Sequence, residues 1–242
     1  MFNNPEQAIL KSWDTNAKAW TQAVRNREIE SRNRVTNLAI VDAILAQDFQ
    51  SMLDVGCGEG WLIRKIASTR PGAKSVDYMG IDGSEDLIRL AQKADPRHTY
   101  LNLTYQQLHL DTLPRKFDLI VCNFSLFGKE SVDDLLIKLK NLLTENGRIL
   151  IQTLHVADET TGWQAGSWQG FSERFTDPAP WYKRNHQAWL QTFEQAGLVV
   201  SKHRITQDPS SLQTCSVIFI LIASNHSAEC VEDWLDAEEA RQ

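Results

Sequence analysis

Met52-Leu-Asp-Val-Gly-Cys-Gly-Glu-Gly60 is the stretch that decides the fold. A short run over residues 51–55 stops at three glycines in five positions, and helical spacing resumes at Trp61 and runs to Arg70-Pro-Gly72. That order reads as one strand, a glycine turn and one helix. Glycines suit such a turn because no side chain blocks a ligand from approaching the backbone. The helix N-terminus that follows receives partial negative charge.

Outward from this unit the pattern repeats. A second strand is expected over residues 75–81, then a helix from Ser84, whose side chain caps it and whose first turn carries Glu85 and Asp86. Residues 101–105 read as a third strand and residues 117–123 as a fourth. Ser131 then caps a helix carrying Leu135, Leu136, Leu139, Leu142 and Leu143 up to Gly147, and residues 148–154 form a fifth strand. A helix near residues 185–195 precedes two runs, 199–205 and 215–223, joined by Gln207-Asp-Pro-Ser-Ser211, which predicts an antiparallel pair. Upstream, residues 28–46 space Ile29, Val35, Leu38, Ala39, Ile44 and Leu45 as an amphipathic helix. Alternating strands and helices imply an α/β fold, a parallel sheet covered on both faces with right-handed crossovers.

The organisation expected from this is a helical cap over residues 1–47, a ligand-binding core over 48–224 and an acidic tail over 225–242. Within the core, residues 156–184 hold Trp163, Trp168, Phe171, Phe175, Trp181 and Tyr182 among glycines, prolines and polar residues. Such a segment reads as an aromatic lid, the alternative being rings that plug the core.

At 242 residues the chain suits one domain, and 42% hydrophobic with 23% charged residues is ordinary globular usage. The net charge of −6 is concentrated at the end: six acidic residues against Arg241 give the tail −5 and leave the rest near neutral. A nucleic-acid partner is therefore not expected, since tracking phosphates takes a basic surplus. The four cysteines form no C-x-x-C pair, which argues against a metal site and a disulfide framework. No run is long enough to span a bilayer, so a cytoplasmic protein without a membrane partner, monomeric or homodimeric, is expected.

Asp82 closes the second strand 22 residues after Gly60, where a carboxylate can accept hydrogen bonds from both hydroxyls of a ribose. It could equally cap the next helix. A dinucleotide fingerprint wants glycine three residues after Gly58, and Trp61 stands there. Three segments, Met52 to Gly60, Gly80-Ile-Asp-Gly-Ser84 and Phe117-Asp-Leu-Ile-Val-Cys-Asn123, together resemble class I S-adenosylmethionine (SAM)-dependent methyltransferases. The likeness runs over roughly residues 38–223 and is nearest to the small-molecule branch that includes quinone-biosynthesis enzymes.

The resemblance implies a Rossmann-like, seven-stranded, mostly parallel sheet with an antiparallel terminal strand and helices on both faces. It implies that Asp54, Gly56, Cys57 and Gly58 flank the methionine part of SAM, with Asp82 on the ribose and Gly83 and Ser84 beside it. Gln106 and Gln107 occupy the adenine position, where the family often has an acidic residue, and Asn123 and Phe124 line the sulfonium and the acceptor entrance. Trp13, Trp20 and Arg32 lie in a segment that often folds over the cofactor, so Arg32 is a candidate partner for the SAM carboxylate, or else a solvated surface group. The chain lacks the Asn/Asp-Pro-Pro-aromatic motif of DNA amino-methyltransferases after strand four. The expected reaction is in-line transfer of the methyl group of SAM to a small-molecule acceptor, leaving S-adenosyl-L-homocysteine. If the acceptor is a hydroxyl, His155 is the foremost candidate base, with Tyr182 and His186 behind it. A nicotinamide-dependent oxidoreductase and a SAM-binding module without turnover remain as alternatives.

Overall fold

The computed structural model describes residues 4–70 and 76–224. The acidic tail, Cys230 and the Pro71-Gly72 stop to the first core helix lie outside the described residues. Five strands run parallel: β1 Ser51–Val55, β2 Asp77–Asp82, β3 Thr99–Asn102, β4 Phe117–Asn123 and β5 Leu143–Thr153. A small hairpin, β6 Gly162–Gln164 with β7 Trp181–Lys183, stands apart from them. The chain ends in β8 Leu198–Gln207 and β9 Thr214–Ala223, and β9 inserts antiparallel between β5 and β8. The sheet order is β3-β2-β1-β4-β5-β9-β8. This is the expected seven-stranded sheet with its antiparallel strand.

Strand alternation sends successive side chains into two cores. From β4, Leu119 and Val121 face one side and Ile120 and Cys122 the other. The first side is covered by α2 Asn37–Leu45, α3 Trp61–Thr69 and α4 Glu85–Ala94 through Ile40, Ile44, Ile63, Ile66 and Ile88. The second is covered by α5 Glu130–Asn141 and α6 His186–Gln195 through Leu135, Leu136, Leu139, Trp189 and Phe193. The order of the strands reverses between β1 and β4, and in open α/β sheets ligands bind beyond the carboxyl ends at that point.

Several expectations are corrected. The helix expected over 28–46 is present, as a π-helical turn at Arg32–Thr36 running into α2, but a separate helix that the sequence reading did not give, α1 Pro5–Arg25, precedes it. Strand three lies at 99–102 instead of 101–105, pairing Tyr100 with Gly80. The helix over the leucines ends at Asn141, and β5 begins at Leu143 with a bulge. Gly147 belongs to that bulge, because a Cβ there would lie 2.8 Å from the Phe117 carbonyl. Ser131 sits inside α5, whose N-terminus is held by Glu6: Oε1 accepts from the Lys129 amide at 2.8 Å and Oε2 from the Ser131 hydroxyl at 2.5 Å. A carboxylate suits that end of a helix dipole.

Candidate active site

At the carboxyl end of β1, Gly56, Gly58 and Gly60 all take positive φ, +74°, +56° and +79°. A Cβ on Gly56 would fall 2.3 Å from Ser125 Cβ, so the β1 and β4 loops meet only because that side chain is missing. The amides of Gly56 and Cys57 donate to the Ile81 carbonyl at 2.8 and 3.0 Å, tying the turn to β2. Asp82 accepts from the Gly58 amide through Oδ2 and from the Ser84 amide through Oδ1, each at 2.9 Å. Each oxygen keeps a further lone pair. Burial pushes Asp82 up to about 6 against the pull of those two bonds. Asp54, buried beneath the turn, is pushed up to about 8 by burial and then by Asp82.

Over this turn lies a cavity, with Gly56, Gly58, Asp82 and Asn123 on the sheet side and Leu10 and Trp13 of α1 opposite. Two of its polar groups are buried with no hydrogen-bond partner, Asn123 Oδ1 and Arg32 Nη2. Arg32 is 8% exposed and its guanidinium lies 5.0 Å from both the Trp20 and Trp61 ring centroids, with Nε donating to Asn37 Oδ1 at 3.2 Å. Burial lowers it to about 10, with the nearby Glu59 carboxylate opposing. Glu59 is itself wholly buried and held by Arg25 at 2.7 Å and Arg64 at 2.5 Å.

A second cavity adjoins the first, and Trp13, Trp20, Arg32, Phe124 and Phe127 line both. Phe124 holds φ 51° at the junction, a conformation non-glycine residues rarely keep without a surrounding that enforces it. The far walls are Trp168, Phe171, Pro178, Pro180 and Trp181 from the aromatic segment. That segment is stitched to α1: Asn16 accepts from the Thr176 amide at 2.9 Å and donates to its carbonyl at 2.7 Å, and Ser12 donates to the Asp177 carbonyl at 2.6 Å. Trp168, Phe171 and Phe175 pack on Ala19 and Ala23 as a third small core.

Of the residues singled out from sequence, Arg32, Gly56, Cys57, Gly58, Asp82, Gly83, Gln106, Asn123 and Phe124 all line the first cavity. Asp54 lies behind the turn, Ser84 caps α4, and the Gln107 side chain is committed to Thr104, so these three are not on its wall. His155 and Tyr182 line neither cavity. Leu154 takes the cavity wall, while His155, next in the chain, lies near His186, whose pKa is lowered by burial and then by His203 and His155. On β7, Trp181 faces the second cavity and alternation turns Tyr182 away, under Arg184 at 4.9 Å. Sequence reading missed Glu6 and Glu59 as supports and Trp61 as the second face of the Arg32 clamp. A buried-acid signal was present in Glu59, whose carboxylate sits between glycines at the mouth of a turn.

A family model described as a methyltransferase domain matches residues 47–197. The chain is 29% identical over 164 residues to the ubiquinone biosynthesis O-methyltransferase of Glaesserella parasuis, covering 64% of this chain and 66% of that one. It is 30% identical over 136 residues to an uncharacterized methyltransferase of Mycobacterium tuberculosis strain H37Rv, covering 54% and 64%. The match thus spans just under two thirds of these relatives' length. Among solved structures, the 1,6-didemethyltoxoflavin-N1-methyltransferase of Burkholderia thailandensis, with 1,6-didemethyltoxoflavin and S-adenosylhomocysteine bound, superposes with a TM-score of 0.65 at 14% identity, covering 93% of this chain and 92% of that one.

Proposed function

The chain belongs to the class I SAM-dependent methyltransferases, and from that premise we propose that it transfers the methyl group of SAM to a small-molecule acceptor held in the second cavity. SAM supplies a methyl group already activated on a sulfonium, so the protein's tasks are to orient two ligands and exclude water. The observation that carries the reading is the complementary pair of unsatisfied groups in the first cavity. Asn123 Oδ1 is an acceptor without a donor and Arg32 Nη2 a donor without an acceptor. Together they match the ammonium and carboxylate of an amino-acid end. Asp82, with a lone pair left on each oxygen, matches the ribose hydroxyls, and Gly56 and Gly58 leave room for backbone approach.

The second cavity fits a compact, largely apolar acceptor better than a polymer, because the segment around the β6–β7 hairpin and α1 close two of its sides. No helix among the described residues is long and apolar enough to cross a membrane. Calorimetry with SAM and with S-adenosyl-L-homocysteine should give tight, 1:1 binding, and NADH none. A metabolite screen should then yield a SAM-dependent mass gain of one methyl group. Binding without turnover would favour a SAM-responsive binding module. Binding of NADH alone would remove the methyltransferase reading.

A further inference from the structure

The second cavity offers an acceptor almost nothing that can take a proton. Among the described residues on its walls the titratable groups are Arg32 and Cys215. His155 and Tyr182 are not among its lining residues, and the carboxylates Glu6 and Asp82 line the first cavity instead. Glu6 is engaged by the Lys129 amide and the Ser131 hydroxyl, and Asp82 by two amides. An alcohol, an ordinary phenol or an ammonium would therefore reach the methyl donor with its proton still on.

A cationic acceptor meets a further obstacle. Of the rings on the cavity walls, Trp20 is already covered by the Arg32 guanidinium. One more group points to an oxygen acceptor: Thr36 is a lining residue of this cavity, 3% exposed, and its buried hydroxyl has no hydrogen-bond partner. It stands on the same π-helical turn as Arg32, a local geometry often found at functional sites.

We propose that the acceptor enters this cavity as an oxyanion on an apolar body, most simply a carboxylate, and that Thr36 positions it by donating a hydrogen bond. This deepens the methyltransferase reading and rests on it. A carboxylic acid is ionised throughout the neutral range, so it needs no base. In the step, a carboxylate lone pair forms the new oxygen–carbon bond to the methyl group. The carbon–sulfur bond breaks with its electron pair going to sulfur, giving a methyl ester and neutral S-adenosyl-L-homocysteine, and no proton is released.

The test is binding to protein saturated with S-adenosyl-L-homocysteine, read by tryptophan fluorescence and calorimetry, with 2-naphthoate, 2-naphthol and 2-naphthylmethylammonium as probes. Naphthoate should bind at least about tenfold more tightly than the ammonium, a difference of one charge-assisted contact. Thr36→Val should weaken naphthoate by about tenfold, Thr36→Ser should restore it, and neither should change S-adenosyl-L-homocysteine affinity. Equal or tighter binding of the ammonium, no binding of naphthoate, or an unaltered Thr36→Val would overturn the proposal. Failure of S-adenosyl-L-homocysteine to bind would instead fault the methyltransferase reading beneath it.

Discussion

Replacing Arg32 with methionine should separate stability from cofactor recognition. Burial lowers the guanidinium from its ordinary range to about 10, which corresponds to roughly 3 kcal/mol of charge made unfavourable by the fold. Because the folded value lies below the unfolded one, that penalty is present at every pH below about 10 and lifts only as pH climbs from there toward the unfolded value. Against it stand the two tryptophan faces at 5.0 Å and the bond to Asn37, together worth about 2 kcal/mol. A methionine would keep an apolar fit between Trp20 and Trp61 without the charge. Arg32→Met should therefore leave the ligand-free protein unchanged or more stable by up to roughly 2 kcal/mol, a rise of about 0 to 8 °C in Tm for a chain of this size. In the same variant, S-adenosyl-L-homocysteine should bind about 10- to 100-fold more weakly, since a charge-assisted contact to its carboxylate is lost. Thermal melts with and without ligand, paired with calorimetry, read both quantities. A variant that loses more than about 2 kcal/mol of ligand-free stability yet binds S-adenosyl-L-homocysteine normally would refute the reasoning and make Arg32 a packing residue.

Asp82→Asn should weaken S-adenosyl-L-homocysteine binding by about tenfold or more and abolish its pH dependence. In the unaltered protein affinity should fall as pH drops through about 6, where the carboxylate takes up a proton, as titration calorimetry across that range would register. The raised pKa also means that ligand-free stability declines as pH rises from about 4 through 6, the reverse of a salt-bridged acid. Gly80→Ala should cost about 1 to 3 kcal/mol in urea unfolding, because the new Cβ would lie 2.8 Å from both Cys57 Sγ and Tyr100 Cδ1, which are buried. Asn16→Ala should release the aromatic segment from α1 at a local cost of about 2 kcal/mol. Trypsin should then cut at Arg174 faster while Tm stays nearly constant, and an unaltered cutting rate would mean the segment is held by its rings alone.

The glycine turn, the strands around it and Asp82 were legible because each rests on local chemistry: glycines where φ must be positive, apolar runs where both faces are covered, a carboxylate at a strand end. Helix α1 was not legible because, Ile9 apart, what it buries is small or polar, Ser12, Asn16, Ala17, Ala19, Thr21 and Ala23, so no stripe of large apolar residues marks its period. The start of α5 was misplaced because its cap comes from Glu6, more than a hundred residues away, and no local signal carries that. Tyr182 misses the cavities through strand parity, one residue from Trp181, which does line the second. His155 lies two residues past the end of β5, where strand alternation no longer says which way a side chain faces. The pairing of Arg32 with Trp61 joins the two ends of a loop that only tertiary folding closes.

The wall shared by the two cavities has a consequence for the order of events. Trp13, Trp20, Arg32, Phe124 and Phe127 touch whatever fills either space, so an occupant of one fixes side chains that the other must also use. The two binding equilibria are then linked, and linkage is reciprocal: whatever factor the cofactor contributes to acceptor affinity, the acceptor returns to the cofactor. With Arg32 unpaired until a carboxylate arrives, the shared wall is least settled when both spaces are empty. That asymmetry predicts sequential kinetics with the cofactor entering first and its demethylated product leaving last.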